Sequence, residues 1–243
     1  MPRVRGGASV TAVSVKHLPF RHRLDCPFQR TSRFLECQLQ NRYVRVVITR
    51  KGQATRERIV AEAARLMHQR GVAGTSTEDV RAAAAVSASQ IYHYFRDKRS
   101  LTRAVIEFQT EEILGFQSPL LASLDDIGAL RAWAEAIANV QRARDFRGGC
   151  PLGSLAGELA EHDDTAREDL AAGYLRWHRV IRDGLLAMKD RGDLGEQADP
   201  EALATTLLTT LQGGLLLCKT LRAADPLETA LGTVIDHIAS MAT

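Results

Sequence analysis

The stretch that decides the fold is Ser76-Thr-Glu-Asp-Val-Arg-Ala-Ala-Ala-Ala-Val-Ser-Ala-Ser-Gln-Ile-Tyr-His-Tyr-Phe95. Its pattern predicts two short helices joined by a tight turn. Ser76 and Thr77, followed by two acids, are typical of a helix N-terminus, because side-chain oxygens satisfy free amides there and acids suit the positive end of the dipole. Ser87 and Gln90 fit the Ser/Thr-x-x-Glu/Gln capping box, so the second helix is expected to begin at Ser87.

The second helix has one apolar side and one polar side. Ile91 and Phe95 lie four residues apart and predict its buried side. Val80, Ala84 and Val86 supply matching apolar anchors from the first helix and the turn. The opposite side carries hydrogen-bonding or aromatic side chains that suit a nucleic-acid groove better than a protein core. These are Ser89, Gln90, Tyr92, His93 and Tyr94.

Residues 54 to 105 resemble the DNA-binding domain of tetracycline-repressor (TetR) family transcription regulators. The matching features, in order, are Thr55-Arg-Glu-Arg-Ile-Val, Arg70-Gly71, Val86-Ser87, Tyr92-His93-Tyr94-Phe95, Asp97-Lys98 and Leu101. Three positions depart from the family pattern: Ala85 replaces a turn Gly, Arg81 replaces a small residue, and Ser89 replaces a frequent Gly. Ala85 would be strained by about 1–2 kcal/mol if the turn requires a left-handed residue there.

The resemblance implies an all-α fold, with an N-terminal three-helix helix-turn-helix DNA-binding domain and a C-terminal helical ligand-binding and dimerisation domain. The expected boundaries are a basic, disordered extension at 1–50, the helix-turn-helix domain at 51–98 and the helical body at 99–243. The implied function is transcriptional regulation: a ligand-responsive repressor that binds a pseudo-palindromic operator as a dimer and is released by a small hydrophobic effector. Two alternatives stay open, namely a DNA-binding protein with no inducer, and a small-molecule-binding helical protein with a vestigial head.

Candidate DNA contacts follow from this pattern. Phosphate contacts are expected from Thr77, Arg81, Tyr92, Tyr94 and Lys98. Base contacts are expected from the polar face, because Gln pairs bidentately with adenine and an Ala methyl can touch a thymine methyl. The whole predicted set is Thr77, Arg81, Ser87, Ala88, Ser89, Gln90, Tyr92, His93, Tyr94 and Lys98. The alternative is that the two tyrosines pack locally.

The first 50 residues are strongly basic. They carry ten basic and two acidic side chains, a net charge of +8 in a chain whose total is +3, so the remaining residues carry −5. A basic head on an acidic body suits nucleic-acid contact by the head. The composition also resembles a transit peptide. We favour a disordered arm, or a start codon placed too far upstream, over targeting.

The body is expected to consist of helices separated by Gly- and Pro-containing breaks. Helical spacing predicts helices at 55–69, from Asp97 to about 114, at 129–146, 155–161, 164–189, 200–223 and 226–241, with a loop at 115–128 and a non-helical run at 147–154. The run Gly148-Gly-Cys-Pro-Leu-Gly-Ser-Leu-Ala156 resembles the LmrA/YxaF-like branch of these repressors. No apolar run approaches membrane-spanning length, so no membrane contact and a cytoplasmic location are expected.

The last two helices carry long apolar stripes. Their residues are Leu203, Leu207, Leu211, Leu215 and Cys218 in the first, and Leu227, Leu231, Val234, Ile235 and Ile238 in the second. Both stripes suit a plain core. The resemblance implies instead that residues 200–223 and 226–241 form the homodimer interface, two helices from each subunit.

Candidates for other chemistry are weaker. A pocket for the effector is expected among Trp133, Ile137, Leu155, Trp177 and Leu211, although such residues are more often core. Cys150 is a candidate redox-sensing thiol but is more readily structural, and one of Asp163 and Asp164 is better explained as a helix cap than as a metal ligand beside His162. The sequence contains no phosphate-binding Gly loop, no nucleophile elbow and no metal-ligand cluster, so neither catalysis nor a cofactor is expected.

Overall fold

A computed structural model describes residues 49–121 and 126–243. These residues form nine α-helices, which confirms the expected all-α class: α1 Arg50–Arg70, α2 Thr77–Ala83, α3 Ala88–Tyr94, α4 Lys98–Leu121, α5 Ile127–Ala143, α6 Pro151–Leu159, α7 Asp164–Asp190, α8 Pro200–Leu221 and α9 Asp225–Ala239. The predicted extension at 1–50 lies outside the described residues up to residue 48.

Helix α1 begins five residues earlier than the sequence pattern predicts. The Gly52 amide donates to Thr49 Oγ1 at 3.1 Å, which makes Thr49 the N-cap. Thr55, the predicted start, lies inside the helix and donates its hydroxyl to the Lys51 carbonyl at 2.9 Å. The prediction followed the family motif and overlooked a polar residue that caps equally well. At the other end the predicted stop is confirmed, since Gly71 takes a φ of +79°.

Helices α1, α2 and α3 and the start of α4 bury one side each in a common core. All five predicted anchors of α2, the turn and α3 are at most 5% exposed: Val80, Ala84, Val86, Ile91 and Phe95. Ile59 and Ala63 of α1 and Leu101 of α4 are fully buried beside them. The three-helix head (α1 to α3) is therefore held together by the inner sides of its helices. The residues on its outer surface take no part in that core.

Helix α4 is longer than predicted. The expected loop at 115–128 is helical as far as Leu121, and α5 begins at Ile127 after an Asp126 cap. A loop was predicted here because Pro119 lacks the backbone N–H that a helix interior needs. Since it lies two residues before the end of α4, it interrupts only the last turn. At the start of α4 the predicted cap is confirmed, because the Ser100 amide donates to Asp97 Oδ1 at 2.7 Å.

Helix α6 contradicts the prediction of a non-helical run at 147–154. It begins at Pro151, with Cys150 as N-cap accepting the Gly153 amide at 3.4 Å. Proline suits the first helical position, where its missing amide costs nothing. Only Gly148 and Gly149, with φ of +86° and +66°, form the turn that the glycine content suggested.

Helices α8 and α9 bury the stripes that the sequence offered as a dimer interface. Leu207, Leu211 and Cys218 are fully buried inside one subunit, against α7 and α9. Gly214 lets the two last helices approach, because a Cβ there would lie 2.7 Å from Leu227 Cδ1. The core reading of these stripes is therefore correct. Any dimer contact must use the other side of α8 and α9.

Helix α8 is long and apolar enough to cross a membrane, which the sequence analysis did not anticipate. It is the one helix of the described chain with this property, and nearly half of the relevant window is buried in the bundle. A central helix of a helical bundle meets the same criterion, because it is surrounded by apolar neighbours.

The turn between α2 and α3 contains a strained residue. Ala85 takes a φ of +50°, the left-handed region in which a Cβ is unfavourable. Two arginines hold the turn in place: Arg58 Nε donates to the Ala84 carbonyl at 2.9 Å, and Arg81 Nη1 donates to the Val86 carbonyl at 3.3 Å. These long side chains compensate for the glycine that the turn lacks.

Replacing Ala85 by Gly (A85G) is expected to raise the free energy of unfolding by about 0.5–1 kcal/mol, because relief of left-handed strain exceeds the added entropy of the unfolded chain. The matched control is A82G, an exposed position of ordinary helical geometry on α2, which is expected to lose roughly 0.5–1 kcal/mol. Thermal unfolding of both variants measures the difference. Equal destabilisation by the two would refute strain at Ala85.

Candidate nucleic-acid interface

Two matching capping boxes fix the starts of α2 and α3. In α3 the Gln90 amide donates to Ser87 Oγ at 3.2 Å, and the Ser87 amide donates back to Gln90 Oε1 at 2.8 Å. In α2 the Asp79 backbone amide donates to Ser76 Oγ at 3.0 Å, and the Ser76 backbone amide donates back to Asp79 Oδ2 at 2.8 Å. Such a cap stabilises a helix by about 1 kcal/mol. Helices of only seven residues depend on these caps, because they contain few internal hydrogen bonds.

Helix α3 turns most of its side chains outward. Ile91 is the one residue of this helix that is buried, at 1% exposed, with Phe95 buried just beyond its end. Tyr92 is 60% exposed. The exposed residues are Ser87, Ala88, Ser89, Gln90, Tyr92 and His93, so four of the five residues predicted on the outer face are exposed and Tyr94 is only half-exposed. A rigid short helix with an exposed polar and aromatic face has the shape of a major-groove reader.

The capping box limits what Gln90 can do. A bidentate contact with adenine uses the amide oxygen as an acceptor and the nitrogen as a donor at the same time. In this structure the oxygen already accepts the Ser87 amide, which directs the side chain back along the helix. Gln90 was predicted in both roles, and a bidentate contact would have to use the second lone pair of an oxygen that the cap already engages. With the box closed, the Gln90 nitrogen is the end that can donate to DNA.

The other residues predicted to contact DNA differ in their exposure and in their contacts within the protein. Tyr94 is half-buried against the core, and its ring meets the His93 ring edge-on at 4.9 Å, so local packing accounts for part of its role. Arg81 forms an ion pair with Glu78 besides bracing the turn. Thr77 and Lys98 are partly exposed, at the first residues of α2 and α4.

Positive charge gathers on the head. Residues 49–98 carry nine Lys or Arg and five Asp or Glu, whereas residues 99–243 carry 14 and 22. Arg50 and Lys51 lie in the first turn of α1, where the positive end of the helix dipole disfavours cations. Since the helix itself gains nothing from these cations, an external anion such as DNA phosphate is the partner that they suit.

The head is tied to the body by contacts that no local pattern could reveal. The Glu158 carboxylate at the end of α6 accepts the Val72 amide at 2.8 Å and the Ala73 amide at 3.3 Å, in the turn after α1. Arg99 of α4 pairs with Asp163 at 2.7 Å. Hydrogen bonds from Arg99 and from the first turn of α7 lower the pKa of Asp163 to about 2. Asp163 is also the N-cap of α7, which confirms the expected cap.

A cavity of about 400 Å³ lies where α1, α4, α5, α7 and α8 meet. Of the predicted pocket residues, Ile137, Trp177 and Leu211 line it. Trp133 does not: it is fully buried and donates its indole N–H to Gln117 Oε1 at 2.8 Å. Leu155 borders a separate void of only about 10 Å³. Helical spacing alone could not separate these core positions from the lining.

Other candidates remain structural. Cys150 is buried, and burial raises the pKa of its thiol, which disfavours the reactive thiolate. Asp163 is engaged by Arg99, and the described ranges contain no group of three metal-binding side chains. His178 Nε2 lies 3.1 Å from Thr205 Oγ1, in a contact between α7 and α8.

Comparisons with known proteins agree with this arrangement. Residues 59–105 match the family model of bacterial regulatory proteins of the tetR family, and residues 127–234 match the tetracyclin repressor-like C-terminal domain. The HTH-type transcriptional repressor DhaR of Mycobacterium sp. (strain GP1) is 24% identical over 185 residues, which cover 75% of this chain and 91% of DhaR. The transcriptional regulator AcuR of Cereibacter sphaeroides is 27% identical over 171 residues, 70% of this chain and 78% of AcuR.

A solved structure shows the same fold. The crystal structure of a TetR transcriptional regulator from Chloroflexus aurantiacus J-10-FL superposes with a TM-score of 0.67 at 29% identity, covering 80% of this chain and 98% of that one. The narrower LmrA/YxaF-like resemblance is not tested by these comparisons and stays a prediction. Since family models match both the head and the body, this chain belongs to the TetR family and is a helix-turn-helix transcriptional regulator.

Proposed function

We propose that this regulator is a ligand-responsive repressor. Two copies bind a pseudo-palindromic operator through α3, and a small apolar effector in the cavity releases them. The observation that carries the proposal is the position of the cavity, which is lined by α1 of the head as well as by helices of the body. The protein then acts on DNA in the cytoplasm, as a regulator and not as an enzyme.

The operator contacts are assigned by exposure. Ser89, His93 and the Gln90 nitrogen lie on the outer face of α3 and read base edges. Tyr92 is the more exposed of the two tyrosines and contacts phosphate, as does Lys98 at the start of α4. In a twofold dimer the two α3 helices lie about 34–36 Å apart, or a multiple of it, so each meets a major groove on one side of the duplex.

The dimer surface is the outward side of α8 and α9. Leu216 and Leu217 are 63% and 48% exposed there, which is unusual for leucine in a chain that buries its other α8 stripe. A Cβ at Gly213 or at Gly232 would meet no atom within 4 Å. Nothing inside the subunit therefore requires glycine, whereas close approach of a partner helix does. Membership of a family whose regulators form dimers also supports this surface.

The proposed release of DNA depends on the helices that line the cavity. Ala61, Ala64 and Arg65 of α1 line it together with Phe108 and Ile113 of α4. A ligand that separates these helices shifts α3, because α1 and α3 share one core. The ligand can release DNA only by its differential affinity for the two arrangements: moving a 1:99 equilibrium to 99:1 requires about 10⁴-fold.

The two alternatives are less well supported. A DNA-binding protein without an inducer would have side chains in place of the cavity, but a volume of about 400 Å³ lies within the range of small-molecule sites. A vestigial head would not be expected to keep two complete capping boxes, two bracing arginines and an exposed reading face. We therefore favour the ligand-responsive repressor.

The variant Q90E separates DNA reading from folding. Glutamate preserves the capping box, so the thermal midpoint is expected to change by less than about 2 °C. It replaces the amide donors by a negative charge, and operator affinity is expected to fall at least about tenfold, because each half-site loses a contact and gains repulsion. Operator DNA selected from a random pool serves as the probe in a fluorescence anisotropy titration.

The matched control for Q90E is Q197E, which makes the same change at an exposed position between α7 and α8. It is expected to leave operator affinity within about twofold, since surface charges farther apart than the Debye length are largely screened. Equal operator affinities of Q90E and wild type would show that Gln90 does not contact DNA, and would contradict the face of α3 assigned to the contact.

The variant L217E tests the dimer surface. A twofold interface receives the new charge twice, so self-association is expected to weaken by at least about 100-fold. Sedimentation velocity measures the change, and operator binding is expected to weaken with it. A132E, which adds the same charge to an exposed position of α5, is expected to leave the dimer intact. A dimer that survives L217E unchanged would exclude this face of α8.

A further inference from the structure

Two residues that line the cavity each carry a buried polar atom with no hydrogen-bond partner among the described residues: Gln141 Oε1 on α5 and Trp177 Nε1 on α7. Both residues line the cavity, and they are only 5% and 2% exposed. A buried polar group without a partner costs roughly 1–3 kcal/mol. Both atoms therefore mark positions where a bound molecule would gain more than apolar contact.

The two atoms require opposite chemistry. The indole N–H of Trp177 can only donate, so it needs an acceptor from the ligand. Gln141 Oε1 can only accept, so it needs a donor. Gln117 also lines the cavity, but its Oε1 already accepts the indole N–H of Trp133 at 2.8 Å. An apolar molecule without polar atoms would leave both Gln141 and Trp177 unsatisfied.

The charge of the lining limits the ligand further. Every lining residue that is itself buried is uncharged: Ala64, Gln117, Ile137, Gln141, Gly149, Cys150, Trp177, Leu211 and Leu215. The ionisable lining residues Arg65, Glu112 and Arg144 are exposed, and Arg65 is paired with Glu62 at 2.8 Å. An ionised group placed among the buried residues would lose its hydration without gaining a counter-charge, which is strongly unfavourable.

We propose that the effector is a neutral, mainly apolar molecule that bears both a hydrogen-bond donor and an acceptor, as a phenol or a carboxamide does. Its acceptor takes the Trp177 indole N–H, and its donor binds Gln141 Oε1. This inference rests on the proposed function, because it names the class of ligand for the cavity that controls release.

A matched series of probes tests the proposal on the full chain: 4-hydroxybiphenyl (donor and acceptor), 4-methoxybiphenyl (acceptor alone), biphenyl (neither) and biphenyl-4-carboxylate (anion). Dissociation constants are measured by isothermal titration calorimetry, because the W177F variant described below removes the one tryptophan that lines the cavity. The hydroxy compound is expected to bind at least about tenfold more tightly than biphenyl, and the carboxylate more weakly than the hydroxy compound. Equal affinity for the hydroxy compound and biphenyl, or preference for the anion, would overturn the proposal.

Two variants assign the contacts. Q141L is expected to abolish the advantage of the hydroxy over the methoxy compound, and W177F the advantage of the methoxy compound over biphenyl. Circular dichroism confirms folding, and the wild-type series remains decisive even if a variant is unstable. An advantage that persists in both variants would place the polar contact elsewhere and overturn the assignment.

Operator binding in the presence of each probe separates this inference from the proposed function. If the hydroxy compound binds with the expected preference and operator affinity is unchanged, the ligand class stands and the release mechanism fails. If biphenyl binds as tightly as the hydroxy compound and still releases the operator, the release mechanism stands and the ligand class fails.

Discussion

Helix α1 links the two parts of the structure, because it belongs both to the core of the head and to the lining of the cavity. One side carries Ile59 and Ala63, which are fully buried in the core beneath α2 and α3. Another side carries Ala61, Ala64 and Arg65, which line the cavity. Close-packed interiors transmit displacement instead of absorbing it. We therefore propose that the position of α3 and the content of the cavity are coupled through α1.

Helix α6 provides a second connection between cavity and head. It begins at Cys150 and Pro151, which line the cavity, and it ends at Glu158, whose carboxylate accepts the amides of Val72 and Ala73. Helix α4 also connects the two, since it lines the cavity and its Leu101 is buried in the core of the head. The ion pair between Arg99 of α4 and Asp163 joins the start of α7 to the same region.

Features that depend on neighbouring residues could be predicted from the sequence. Features that depend on contacts between residues far apart in sequence could not. The helix start at Ser76, the capping box at Ser87, the anchors Ile91 and Phe95 and most of the outward face of α3 follow from spacing, because a helix places residues three and four apart on one side. The partners of Glu158 lie more than 80 residues away in sequence. Periodicity could not distinguish Trp133, a core residue, from Trp177, a lining residue, since both lie on apolar helical stripes.

The most direct measurement of the central claim is hydroxyl-radical footprinting of the protein on DNA selected from a random pool. The account predicts two symmetry-related protected patches on one face of the duplex, separated by about 10–10.5 base pairs or a multiple of that spacing, and a selected sequence that is a pseudo-palindrome. A single patch, or protection without sequence symmetry, would contradict a dimer that reads two grooves through α3.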